Sequence, residues 1–500
     1  MHSTMAKEKE TKEKGLFVGL AWSCGDMKLL LTFLFFLCSL ATIIQFHPYL
    51  TSVPHTTTLL SCLVPPTPEP TANSSSTSVA TTPHPMKRDQ MGPDSVFKRS
   101  FNPIGSAAYL FIQMSAYRGG TNTFAVIGLA SKPLHVFAKP QFKCEWIDNP
   151  DNGNGSSVSA DGYKILPDWG YGRVYTVVVV NCTFEKPVGL NSLGGQLVVH
   201  ASTNGGGDRD VDSVESFVAI EEEPSSVNGS VFTAPPDYDY LYCGSPLYGN
   251  LSPQRIREWI VYHVKLFGRR AHFVIYDAGG IHAAVMDVLR PWIEFGAVTL
   301  HDIRDQERFD GYYHNQFLVV NDCLHRYRFN TKWMFFFDVD EFVYLEPGLT
   351  IDSLLKELEG YTQFTIEQMP MSNKICLADD KGKSWRMWGF EKLVYRDVKR
   401  GIRRDRKYAI QPRYAFATGV HMSQNIAGKS LHKTEGRIKY FHYHGTIANR
   451  REPCAEFSNT TELRFDRTPY MLDETLRRLA GSIKRFELKT IGDRLVHTRQ

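Results

Sequence analysis

Lys332-Trp333-Met334-Phe335-Phe336-Phe337-Asp338-Val339-Asp340-Glu341-Phe342 is an apolar run that ends in two carboxylates one residue apart. Consecutive large apolar residues bounded by charges read as a strand buried on both faces, the kind found inside a parallel sheet. The acids then stand at the carboxyl end of that strand, where open α/β sheets bind their ligands. Carboxylate oxygens are natural ligands for a hard divalent cation that also holds phosphate. In a solvated turn an Asp-x-Asp would mean little; after a buried strand it makes Asp338 and Asp340 candidate metal ligands. Glu341 points to the other face of an extended chain, which suits a structural or ion-pairing acid.

Upstream, strand and helix signals alternate. Tyr238 to Cys243 reads as a first strand, and Ser252-Pro253 as the start of a helix marked by Ile256, Trp259, Ile260, His263, Val264 and Phe267, which Gly268 closes. Ala271 to Tyr276 is a second strand, ending in Asp277-Ala278-Gly279-Gly280, and a second helix runs from Ile281 to Leu289, stopped by Pro291. Val298-Thr299-Leu300 is a third strand. A third helix is marked by Tyr313, Phe317, Val320, Leu324 and Tyr327, so the opening run arrives as the fourth strand of a parallel sheet with right-handed crossovers. With no Gly-x-Gly-x-x-Gly and no Walker lysine, a metal has to bear any phosphate.

Downstream, Leu354 to Leu358 reads as a short helix and Phe364 to Glu367 as a strand. Asp379, Asp380, Trp385, Trp388, Glu391 and Asp397 crowd a polar, aromatic-rich stretch suited to face an acceptor. Arg396 to Lys407 holds seven Lys/Arg and two Asp, a solvated loop that also attracts anions. Tyr440 to Gly445 alternates histidines along a strand, with both imidazoles on one face; one of them is a candidate third metal ligand, and imidazole suits Mn²⁺ better than Mg²⁺. Leu472, Leu476, Leu479 and Ile483 mark a last amphipathic helix.

Before this α/β domain (236–500) lies a stretch of strand-like runs, 108–112, 124–129, 174–180 and 196–200, with no helical period between them. We read 99–235 as a small all-β sandwich, with Cys144 and Cys182 at the ends of two runs and paired as a disulfide. Trp146, Trp169, Tyr171 and Tyr175 are candidates for a sugar-stacking face or for its core. Residues 48–98 are rich in Pro, Ser and Thr and form a stem. Leu29 to Phe46 is uncharged and long enough to span a bilayer, so 28–47 is expected to be a transmembrane helix. Lysines 7, 9, 12, 14 and 28 precede it and none follows before Lys87, which puts residues 1–27 in the cytoplasm and makes this a type II single-pass protein. Sequons at Asn73, Asn154, Asn181, Asn228, Asn250 and Asn459, and seven cysteines, all fall on the far side of that run. The net charge of +4 over 500 residues gives no footing for nucleic acid.

The run 332–342, Asn321-Asp322-Cys323 before it, Glu258-Trp259 and His442-Tyr443-His444 together resemble glycosyltransferase family 92, and residues 100 to 490 resemble its plant β-1,4-galactan synthases. The resemblance implies a GT-A (Rossmann-like) domain, a carbohydrate-binding β module, Golgi membrane location, a homodimer, and a UDP-galactose donor with Mn²⁺ acting on the β-1,4-galactan side chains of pectin. It implies Mn²⁺ on Asp338 and Asp340 with His444 (or His442), the uridine near Pro246, Tyr276 and Asp277, and phosphate contacts from Lys407, Arg413 and His421. An α-linked donor and a β product make the reaction inverting, with Asp379, Asp380, Glu391 and Glu367 as candidate general bases. UDP-arabinopyranose as donor, or a lumenal glycan-binding protein with an inactive transferase domain, are the rival readings.

Overall fold

The computed structural model describes residues 86–497 apart from 93–95, 105–108, 132–139, 150–154, 168–173, 203–213, 310–311, 401–404 and 449–450. The expected membrane helix, Cys62, Asn73, Asn154, Trp169 and Tyr171 lie outside the described residues. Among those described, no helix is long and apolar enough to cross a membrane.

Strands β1 (Gln90–Met91) and β2 (Phe97–Lys98) fall on the stem side of the boundary drawn from composition, yet they are part of the folded body: β2 pairs in parallel with a strand of the α/β sheet. There follow β3 (Asn102–Ile104), β4 (Phe111–Arg118), β5 (Thr123–Ser131), β6 (Gln141–Asp148), β7 (Ser157–Ile165), β8 (Tyr175–Thr183), β9 (Gly195–Ser202) and β10 (Val214–Glu222). In place of two stacked sheets they make one antiparallel sheet, ordered β10-β9-β6-β7-β8-β5-β4-β3. It curls until its ends meet: Phe111 stacks on Phe217 at 5.8 Å, and the Gln113 amide donates to the Ala219 carbonyl. Strand periodicity sets which face a residue takes but not whether a sheet splits or curls. Cys144 and Cys182 form the expected disulfide inside this core. Trp146 is buried against Phe124, so it is core and not a sugar platform.

Runs such as Val177-Val178-Val179-Val180 have no polar face because both faces are covered. Val178 and Val180 point into the module's own core, whereas Val177 and Val179, with Ile112, Ile127 and Leu129, pack on the α/β half. That half contains β11 (Tyr238–Cys243), α1 (Pro253–Phe267), β12 (Ala271–Asp277), α2 (Ala283–Glu294), β13 (Val298–Asp302), α3 (Gln316–Arg326) and β14 (Thr331–Phe336). The parallel strands stand in the order β13-β12-β11-β14. Helices α1 and α2 cover one face and α3 the other, and α3 is sandwiched between the sheet and the β module.

Two boundaries move. Helix α2 continues past Pro291 to Glu294, since the ring removes one N–H while Trp292 in the next turn is fully buried. Tyr313 precedes α3: Tyr313, His314 and Asn315 all have left-handed φ (48°, 51° and 60°), and the helix begins after them.

The opening run forms β14 only to Phe336, breaks at Phe337–Asp340 and resumes as β15 (Glu341–Leu345). Beyond α4 (Ile351–Glu357) the sheet becomes mixed through β16 (Gln363–Pro370), β17 (Lys407–Ile410) and β18 (Ile438–His442), continuing β14-β17-β16-β18-β15. The last helix, α5 (Ala480–Ile491), starts later than its leucine spacing suggested, because Leu472 belongs to the strand Thr468–Leu472. Two further disulfides, Cys243–Cys323 and Cys376–Cys454, tie β11 to α3 and brace the late loops.

Candidate active site

The break after β14 opens a cleft of about 620 Å³ at the carboxyl ends of β11 and β14. Its walls are Ser245–Leu251 after β11, the turn into α3, Asp338–Asp340, Asp405 and Lys407 at the start of β17, and His442–Ala448 after β18. The acidic turn is held from below. Trp259 Nε1 donates to the carbonyls of Asp338 and Glu341, both at 3.1 Å, and the Asp338 N–H donates to Glu341 Oε2 at 2.7 Å.

The three acids of this turn have separate fates. Asp338 Oδ2 accepts from the buried Lys407 ammonium at 2.8 Å and Oδ1 from Gln316 Nε2 at 3.1 Å. Burial pushes its pKa up, but Lys407 outweighs burial and holds it below the usual carboxylate value. Lys407 stays charged in turn, because Asp338 and Glu341 outweigh its desolvation. Glu341 is buried, 3.7 Å from Lys407, and burial raises its pKa to about 8, so it is mostly protonated at neutral pH and acts as a structural acid that accepts from the Asp338 N–H. Asp340 faces the other way, 3.6 Å from His442 Nε2.

His442 ends β18, and Gly445, at φ 73°, helps turn the chain after it. The strand thus stops short of His444, but the turn brings the rings of His442 and His444 to 5.3 Å and perpendicular. One ligand atom each from Asp340, His442 and His444 lies within 4.8 Å of the others, the only such trio with metal-ligand spacing among the described residues. A carboxylate with two imidazoles fits a borderline cation such as Mn²⁺ better than Mg²⁺. Asp338 is outside that trio, being already occupied by Lys407. Burial lowers the pKa of His442, but Asp340 and Glu341 more than offset it and leave it raised.

A model of glycosyltransferase family 92 matches residues 238–480. Galactan beta-1,4-galactosyltransferase GALS3 of Arabidopsis thaliana is 54% identical over 99% of this chain and 100% of its own length. GALS2 of the same plant is 59% identical over 80% of this chain and 78% of its own. The chain belongs to glycosyltransferase family 92. The family is a glycosyltransferase family, and this member is an enzyme of that class. Beta-1,4-galactosyltransferase galt-1 of Caenorhabditis elegans is more distant, 24% identical over 71% of this chain and 78% of its own.

Within this family 92 transferase, Pro246, Lys407 and His421 line the cleft. Tyr276 does not: it is buried, with its hydroxyl donating to Asp322. Asp277 lies at the end of β12, where its Oδ1 accepts from the N–H groups of Gly279 and Ile281. Arg413 is at the opposite end of the strands, where its guanidinium donates to the carbonyls of Phe232, Ala234 and Phe329. None of the expected bases lines the cleft. Asp380 is buried in a bidentate pair with Arg477, Glu391 pairs with Lys484, Asp379 accepts from the Asn459 amide, and Glu367 lies along β16 opposite Lys439.

The carboxylate that does line the cleft beside the acidic turn is the exposed Asp405. It was hidden inside the basic run 396–407. Antiparallel pairing of Phe336 with Tyr408 was the signal that carries that run back to the acids. The stack of Tyr248 on His314, at 3.8 Å, has no signal in the sequence either; it needs the left-handed turn 313–315, which no propensity favours.

Proposed function

We propose that this enzyme is an inverting, metal-dependent galactosyltransferase of GT-A type that moves galactose from UDP-galactose onto β-1,4-galactan. The names of its half-identical Arabidopsis relatives support the sugar and the acceptor. The observation that carries the chemistry is the Asp340–His442–His444 trio in a cleft at the carboxyl end of β14. These three side chains would hold Mn²⁺, which when bound neutralises charge growing on the leaving diphosphate.

The remaining roles fall to the chain itself. The Gln368 amide nitrogen lies 2.6 Å from His442 Nδ1; turned over, the amide would present its oxygen to Nδ1–H and leave the Nε2 lone pair facing Asp340. Lys407 keeps Asp338 ionised beside the diphosphate subsite, and Ser245 to Leu251 form its other wall. Inversion in one displacement needs a base at the acceptor hydroxyl. Asp405, the exposed carboxylate that lines the cleft, takes that role. Three disulfides and the sequons support an oxidising lumen, consistent with a Golgi protein anchored by residues 28–47.

The test is UDP release and product formation with galacto-oligosaccharide acceptors across a donor panel that includes UDP-arabinopyranose, with and without chelator. Dependence on Mn²⁺ and on UDP-galactose is expected. Full activity in chelator would remove the metal assignment, and Asp405→Asn with unchanged kcat would remove the base.

A further inference from the structure

Trp146, Trp259, Trp292, Trp333 and Trp388 are buried, whereas Trp385 is 63% exposed. It stands in Lys381-Gly382-Lys383-Ser384-Trp385-Arg386, where both lysines and the arginine are exposed as well. The Arg386 guanidinium lies 4.5 Å from the indole centroid and occupies one face of the ring. Lys381, Lys383 and Arg386 make no ion pair among the described residues. The acids nearby are engaged elsewhere: Asp380 with Arg477, Glu391 with Lys484, Glu452 with Lys392, and Asp379 with the Asn459 amide.

The strip is rigidly mounted. The Cys376–Cys454 disulfide precedes it, and the buried Lys392 donates to the Ser384 carbonyl at 3.1 Å. The N–H groups of Lys383 and Arg386 bond back to Asp380 and Lys383, at 3.0 and 3.1 Å. The loop leaves the cleft rim at Asn373, whose amide donates to the His444 carbonyl, but none of residues 381–386 lines the cleft. A large apolar ring held in solvent by such bracing, with unmatched cations beside it, is a prepared surface.

We propose that Trp385, Lys383 and Arg386 form a binding site for a uronate-bearing polysaccharide, separate from the donor cleft. The C–H face of a pyranose ring packs on the open face of the indole, its carboxylate accepts a charge-assisted hydrogen bond from Lys383, and that of an adjoining uronate residue accepts from Arg386. A neutral hexose would leave Lys383 and Arg386 without a counter-charge. A flexible polyanion without sugar rings would not use the tryptophan.

The test is binding of an oligogalacturonide to the intact protein, read by Trp fluorescence and calorimetry without donor, so that it stands or falls apart from the transferase reading. Expected are binding that weakens as ionic strength rises from about 0.05 to about 0.5 M, and a loss of about tenfold or more in Trp385→Ala and in the Lys383→Gln, Arg386→Gln double variant. The thermal midpoint, and transfer to a short neutral acceptor, should not change in either variant. Equal affinity for neutral galacto-oligosaccharides would overturn the proposal. So would unaltered oligogalacturonide binding in Trp385→Ala, or dextran sulfate binding as tightly with no dependence on Trp385.

Discussion

Two acid–base clusters border α3, one around Asp322 on the helix itself and one at the acidic turn that Gln316 at its start reaches, and they differ in how completely their acids are satisfied. At one end Asp322 is buried and saturated: Arg99 donates to both oxygens at 2.5 and 2.8 Å, and the hydroxyls of Tyr117 and Tyr276 each donate at 2.6 Å. At the other end Asp340 faces a cleft with a 3.6 Å approach from His442. The first cluster joins the β module, through Arg99 and Tyr117, to the α/β half through Tyr276 and α3. It has no capacity left for a ligand. The second has ligand atoms close together without being consumed by one another. Saturation of lone pairs, more than charge or burial, separates the structural acid from the functional one.

The largest effect is expected where the saturated cluster loses a partner. Arg99→Met leaves Asp322 buried with its main counter-charge gone, a change that costs about 3 kcal/mol or more. Thermal or denaturant unfolding should show the whole body destabilised, including the α/β half far from position 99 in sequence. Metal affinity of the remaining folded protein should be unchanged. Arg99→Met combined with Asp322→Leu should recover part of the loss, since an apolar pair replaces an ionic one.

In the open cluster the expected effects are reversed. Asp340→Ala should lower kcat/KM by about a thousandfold, roughly 4 kcal/mol of transition-state stabilisation, with a thermal midpoint near wild type. An unfolded Asp340→Ala protein would show that this acid is structural after all. Gln368→Ala, which removes a contact to the ring of His442 and one to the Tyr440 hydroxyl, should weaken Mn²⁺ binding by about 10–100-fold, as loss of a ligand's hydrogen-bond partner does; calorimetric titration of Mn²⁺ reads this directly.

Much of this architecture was legible before any coordinates. The parallel order, α1, the strand ending at the acids and the Cys144–Cys182 pair follow from period, caps and buried runs, which are local. Asp340 and the two histidines were legible as residue types, although Asp338, not separable from Asp340 in sequence, turned out to be bound to Lys407. Lost were features that depend on contacts distant in sequence. The curl of the β sheet rests on Gln113 meeting Ala219, the fate of Asp380 on Arg477, and Asp405 reaches the cleft only because β17 pairs with β14. Arg413 and Tyr276 carried the right chemistry to the wrong end of a strand or the wrong face.

The smallest effect per step is on pH, and it tests whether the closed regions are as dry as their packing implies. His263 sits under the acidic turn, with Nδ1–H donating to the Trp259 carbonyl and Nε2 accepting from the Val343 N–H, so a second proton has no acceptor. His325 donates from Nε2 to the Phe416 carbonyl and leaves Nδ1 buried without a partner. Burial lowers both to about 3, and it also puts His301 well below its usual value. A histidine whose folded pKa is depressed stays neutral while the unfolded chain takes up a proton below about 6.5, so its contribution is complete above that pH and is lost as pH falls towards 3. Each histidine removes about 1.4 kcal/mol per pH unit in that window. Glu341, raised to about 8 by burial, has the opposite sign between its unfolded value and 8 and offsets about one of the three. Stability in denaturant should therefore fall steadily from pH 6.5 to pH 4.5. His325→Leu, which cannot charge, should flatten that slope by about 1.4 kcal/mol per pH unit, and an unchanged slope would mean that water reaches the ring and that the core behind Phe416 is not closed.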